Sequence, residues 1–109
     1  MTAPRILFSG HARDRMEERD PEFARLGISV AVAEIREAIE AGRIAKTKPR
    51  WASAGIRKKL TDGRYVWDEG CTRCYVVTPG HHRAKWVVVT FYGRASAAWN
   101  ERAQLKAAP

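Results

Sequence analysis

The strongest constraint on the fold is a change of pattern at Gly42. Before it, apolar residues recur at helical spacing; after it, they fall in short runs of the kind that form strands. Val32, Ile35 and Ile39, with Ala38 beside them, lie on one helical stripe. Ser29 can cap that helix with its hydroxyl, and Gly42 can end it in the left-handed conformation that side chains disfavour. An earlier helix is expected from Gly10 to Arg19, capped by Ser9, with Ala12 and Met16 toward the core. Asp20-Pro21 breaks it, because proline disfavours helical geometry in the residue before it, and residues 22–26 form a short excursion before Gly27.

Past Gly42, strands are expected over Arg43–Thr47, Tyr65–Asp68, Arg73–Thr78 and Ala84–Tyr92, with turns at Thr61-Asp62-Gly63 and Pro79-Gly80. Residues 56–60 can begin a further strand at the end of a basic loop, Lys48–Lys59. Ser96 to Lys106 is alanine-rich enough for a short C-terminal helix that docks through Trp99 and Leu105. The order predicts an α+β fold, with two N-terminal helices packed on a roughly four-stranded antiparallel sheet whose other face stays partly open. A length of 109 residues with no repeat or linker predicts a single domain over residues 1–109.

If Gly80-His81 is a two-residue hairpin loop, Pro79 opposes His82, Cys74 opposes Val87 and Arg73 opposes Val88. Cys74, Val76, Val87, Val89 and Phe91 then face the core. Arg73, Tyr75, Val77, Trp86, Val88, Thr90 and Tyr92 form the open face, a mixture that can stack bases and hold phosphates or simply pack.

The formal charge of +8 is unevenly spread. Residues 1–40 hold six Lys/Arg against eight Asp/Glu, a balance of −2, whereas residues 41–109 hold fourteen against four, a balance of +10. Such a surplus attracts polyanions, phosphate backbones foremost, although it also serves plain solubility. No run approaches the ~18 apolar residues that span a bilayer. Ile6-Leu7-Phe8 is too short for the apolar part of a secretory signal, and two cysteines cannot make a disulfide framework, so a cytoplasmic protein is expected.

His11, Arg15 and Arg19 stand at i, i+4 and i+8 and form one helical stripe. Metal-independent RNA cleavage needs a group that moves protons near neutrality and cations for the charge gathering on phosphorus. Imidazole and guanidinium suit those tasks. The plainer reading is a solvated face in which Glu17 and Glu18 pair with the arginines. Arg57, Lys58 and Lys59 join the RNA-binding candidates on charge alone, against the plain alternative of solvated side chains. A zinc reading of Cys71-x-x-Cys74 with His81-His82 meets a geometric objection. The expected hairpin puts Cys74 on the order of 20 Å from the turn, and one ion needs all its ligands within ~2.3 Å.

Residues 8–44 carry a family resemblance. The run Phe8-Ser9-Gly10-His11-Ala12-Arg13-Asp14-Arg15-Met16-Glu17-Glu18-Arg19, then Gly27-Ile28-Ser29, Ile35, Ala38-Ile39 and Gly42-Arg43-Ile44, resembles a bacterial domain-of-unknown-function family. That family opens with Ser-x-His-Ala-x-x-Arg-Met-x-x-Arg. Trp86 to Tyr92 is similar to its closing strand. The family in turn resembles the small metal-independent ribonucleases that include barnase, EndoU domains, colicin tRNases and RelE toxins. The link Asp20–Leu26 is longer than the family's, and Lys48–Lys59 has no counterpart in it.

The resemblance implies His11 and Arg15 as active-site residues, with Arg19 nearby and Thr90 on the last strand. The resulting expectation is an endoribonuclease, toxin-like and needing no metal or cofactor. In it His11, Arg15 and Thr90 are catalytic, and Arg19, Lys58, Lys59, Arg73, Trp86 and Tyr92 bind RNA. An acidic antitoxin or immunity protein would be its partner. The alternative is a non-catalytic nucleic-acid- or protein-binding module, such as a regulator or phage-encoded inhibitor, on the same scaffold.

Overall fold

A computed structural model describes residues 5–52, 60–80 and 86–93. In chain order the elements are β1 (Ile6–Phe8), α1 (Gly10–Arg19), α2 (Pro21–Ala24), α3 (Ile28–Glu40), β2 (Ile44–Ala45), β3 (Arg64–Trp67), β4 (Arg73–Pro79) and β5 (Trp86–Gly93). The class is α+β. Among the described residues there are three helices and a five-stranded sheet in the order β1-β5-β4-β3-β2. β1 runs parallel to β5, and the other neighbours are antiparallel. The sheet is therefore mixed, with one strand more than the sequence suggested.

Local chemistry sets the helix ends. The Ser9 hydroxyl accepts from the Ala12 amide at 3.1 Å and starts α1 as expected. Asp20 caps α2 by accepting from the Phe23 amide at 3.2 Å, and Pro21 fills the first turn, where its missing N–H costs nothing. The excursion after α1 is thus a helical turn of its own. The cap of α3 lies two residues earlier than expected: Gly27, at φ 96°, takes the N-cap position and Ser29 lies inside the helix. At the other end Gly42, at φ 82°, donates to Ile39 while Arg43 donates to Ala38. These paired bonds close the last turn around a left-handed residue.

The main core lies between the helices and the inner face of the sheet. Ala12 and Met16 of α1, Phe23 of α2 and Ala31, Ile35 and Ala38 of α3 meet Ile6, Val66, Tyr75, Val77, Val88 and Phe91. The Tyr75 ring is met edge-on by Phe8 at 6.3 Å and by Phe91 at 5.4 Å between centroids. The outer face is not open. Ala52, Tyr65, Cys74 and Val76 form a second, smaller core, with Trp51, Leu60, Trp67, Val89 and Tyr92 packed on it. The first residues of the basic loop thus cover the sheet, and Leu60 donates to the Lys46 carbonyl to anchor its return.

The β4–β5 register corrects the hairpin expectation. Pro79 pairs with Trp86, which leaves residues 80–85 as the connection in place of a two-residue turn; Cys74 faces Tyr92, and Arg73 faces Gly93. Val76 pairs with Thr90 and Val77 with Val88, so Val89 is an extra residue in β5. That bulge reverses the alternation beyond it. Tyr75, Val77, Trp86 and Val88 turn inward with Phe91, while Cys74, Val76, Thr90 and Tyr92 turn outward. The expected face assignment is reversed at Arg73, Cys74, Tyr75, Val76, Val77, Trp86, Val88 and Val89, because alternation alone does not say which face the helices cover; past the bulge Thr90, Phe91 and Tyr92 keep their expected sides.

No described helix is long and apolar enough to cross a membrane. The expected C-terminal helix from Ser96 to Lys106 and residues 56–59 of the candidate strand at 56–60 lie outside the described residues, and Leu60 belongs to no strand. Phe91 is fully buried against Tyr75, so Phe91→Ala should destabilise the fold by about 3–5 kcal/mol in urea titration.

Candidate nucleic-acid interface

α1 sits beside β5. β1 pairs with β5 only from Trp86 to Val88, and past that point α1 takes over the strand's edge. The Ser9 amide donates to the Val88 carbonyl, and the Arg19 guanidinium donates to the Phe91 carbonyl. Ala12 and Met16 face the core, which leaves His11 exposed, Arg15 partly so and Arg19 exposed on the stripe expected from their spacing. Arg15 Nε donates to His11 Nε2 at 3.4 Å. Arg15 also pairs with Glu18 at 2.9 Å.

The stripe continues onto the outer face at Tyr92. The Arg19 guanidinium lies 5.1 Å from the centre of the Tyr92 ring, and Lys48 Nζ lies 4.9 Å from it. Thr90 is two residues back on the same face, partly buried. The structure therefore gathers His11 with Arg15, and Arg19 with Tyr92, along one edge. Lys48 was not singled out from the basic loop by sequence. It is 3% exposed, which a cationic side chain rarely tolerates without specific surroundings.

Arg73 and Trp86 belong elsewhere. Trp86 packs against the inner core. Arg73 faces the helices and is enclosed by carboxylates: its Nε and Nη2 each donate to Glu34 at 2.8 Å, with Asp68 at 3.6 Å and Asp20 at 3.9 Å. Its guanidinium also stacks 4.0 Å from the centre of the Phe23 ring. The Tyr75 hydroxyl donates to Glu34 at 2.8 Å. This cluster ties β4 to α2 and α3, and the Arg73 side chain is 23% exposed. Arg73 is thus held by acids, not presented to a phosphate. Sequence reading did not single out Glu34, though its place between Ala31 and Ile35 on the buried stripe of α3 was a usable signal.

The Glu34 fork is the first cause that holds the Arg73 proton more tightly than usual, against the cost of burial. Burial foremost, then the Glu34 charge, pushes the Tyr75 hydroxyl up. Burial alone would raise Asp68, but the Arg73 amide, the Thr72 hydroxyl and amide and the Arg73 charge outweigh it and leave the carboxyl below its ordinary value. A groove of about 450 Å³ beside the cluster is lined by Val30, Ala33, Glu34, Glu37, Asp68, Glu69, Gly70 and Arg73, a lining of the wrong sign for RNA.

Cys71, at φ 55°, occupies a turn, while Cys74 is fully buried on the outer face, where burial pushes its thiol up to about 12 despite the Lys48 charge. Among the described residues no three His, Cys, Asp or Glu side chains gather as a metal site. Lys58, Lys59, Arg57, His81 and His82 lie outside the described residues. Comparison with family models, curated proteins and solved structures gave no match.

Asp68 has a folded value below its unfolded one, so its ionised form stabilises the fold above about pH 4, and that stability is lost as pH falls through the folded value. Asp68→Asn should therefore weaken the fold at pH 7 and flatten the acid limb of a urea titration series. Glu34→Gln, which removes the charge from the fork, should cost about 2 kcal/mol at pH 7. In thiol labelling of the native chain, Cys71 should react while Cys74 stays protected until denaturant is added.

Proposed function

We propose that this chain is a metal-independent endoribonuclease whose substrate lies along the exposed stripe of α1. The observation that carries the reading is the contact of Arg19 with Tyr92, which joins the His11–Arg15 stripe to the outer face of the sheet in one continuous surface. The reading also follows the resemblance of residues 8–44 to a bacterial domain-of-unknown-function family, itself similar in architecture to small metal-independent ribonucleases, which implies His11 and Arg15 as active-site residues.

In this reading Arg15 turns from His11 Nε2 to the phosphate, the 2′-oxygen attacks phosphorus, and its proton passes to the Nε2 so released. The bond from phosphorus to the 5′-oxygen breaks, leaving a 2′,3′-cyclic phosphate, and the departing oxygen takes a proton from water. Arg15 stabilises the charge on the phosphorane, and Arg19 anchors the backbone. Thr90, on the face shared with Tyr92, orients the substrate. A protein that silences the enzyme would place acidic side chains over this edge.

A binding module without catalysis is the second reading. It is favoured by the enclosure of Arg73 among Glu34, Asp68 and Asp20, which leaves fewer cations around His11 than the sequence suggested. Incubation with total RNA in EDTA separates the two. The enzyme should cleave RNA and leave cyclic phosphate ends, and His11→Ala should slow cleavage at least a hundredfold, the lower end of about 10²–10⁴ for acid–base catalysis. RNA that is bound but left intact would reject the nuclease and leave the module.

A further inference from the structure

We infer that the edge formed by α1 and β5 takes single-stranded RNA through two neighbouring phosphates, one on Arg15 and the next on Arg19, and that Tyr92 is the residue that positions Arg19. The inference rests on the RNA reading above and specifies its substrate and its geometry. Arg15 and Arg19 stand four residues apart on α1, about 6 Å along its axis. That rise is comparable to the separation of neighbouring phosphates on one strand.

Arg19 is held at two points. One N–H donates to the Phe91 carbonyl, and the guanidinium lies over the Tyr92 ring. A guanidinium carries five N–H donors, so this anchoring leaves others for a phosphate while fixing the plane from which they point. Arg15 is engaged by Glu18, but both side chains are well exposed, at 37% and 62%, and such a pair is worth little in water. A phosphate can replace the carboxylate. Lys48, buried at the same ring, adds positive field without reaching the surface.

The bulge at Val89 is what turns Tyr92 toward Arg19, since unbroken alternation would aim the residue after Phe91 elsewhere. Duplex RNA is held through both backbones across a groove. A single row of cations beside an aromatic ring instead tracks one backbone.

The test is binding of a labelled 2′-O-methyl oligouridine, which lacks the attacking hydroxyl, to the full chain over a range of salt concentrations. Two phosphate contacts on a single strand should give a slope of log K against log salt of about −1.4, at ~0.7 per phosphate. Arg19→Gln and Tyr92→Leu should each reduce it to about −0.7, the double variant should reduce it no further, and Tyr92→Phe should match the wild type because the ring face is kept. Should Tyr92→Leu fail to fold by thermal melting, Tyr92→Met serves the same purpose. An unchanged slope in Arg19→Gln or in Tyr92→Leu, a loss in Tyr92→Phe equal to that in Tyr92→Leu, or tighter binding of duplex than of single strand overturns the inference. If the wild type cleaves RNA while any of these is seen, the nuclease reading stands without it. A wild type that neither binds nor cleaves RNA overturns both.

Discussion

Val89 decides what each face of the sheet carries. A strand shows its side chains alternately to two sides, so one residue without a partner across the ladder reverses every assignment beyond it. Up to Val88 the inward residues of β5 are Trp86 and Val88; beyond the bulge it is Phe91, three residues on, that enters the core. Both Val88 and Phe91 are completely buried. The same extra residue sends Thr90 and Tyr92 outward, where the last arginine of α1 and the buried Lys48 meet the Tyr92 ring. Core packing and the candidate site thus hang on one irregularity.

Two arginines show how surroundings assign different roles to the same side chain. Arg73 is mostly enclosed, and a buried cation without partners would be costly, so Glu34, Asp68 and Asp20 surround it. Arg19 lies at the surface, where solvent meets that cost, and it needs only a carbonyl and a ring to fix it. The charge split along the chain is correspondingly folded together. Acids of the first forty residues meet bases of the rest: Asp20 and Glu34 at Arg73, and Glu37 at Arg43. The balance of +10 in the second part overstates the positive surface presented to a polyanion.

Features with local causes were legible in the sequence. Ser9 and Gly42 mark helix ends through bonds made within a few residues, and the His11–Arg15 contact follows from four-residue spacing. β1 was not legible, because three residues show no period and their parallel partner lies about eighty residues away. The Pro79-Gly80 pair suggested a tight turn, yet the true pairing closes further along, and Val89 carries neither a glycine nor any other mark of a bulge. Arg73 was misplaced because alternation along β4 does not say which side the helices cover. Its partner Glu34 is 39 residues away on α3, and only the packing of that helix on the sheet brings them together.

Stability and the candidate function separate cleanly along α1, except at its end. Ala12 and Met16 seal the core, while His11 and Arg15 face solvent and are spared by the packing. Arg19 does both kinds of work. By donating to the Phe91 carbonyl it occupies a polar group on an edge of β5 that β1 no longer covers, the kind of edge that otherwise invites pairing with another chain. The same bond fixes the guanidinium against Tyr92. A side chain already ordered by the fold loses less freedom when an anion arrives, so protection of the strand edge also prepares the contact that the RNA reading requires.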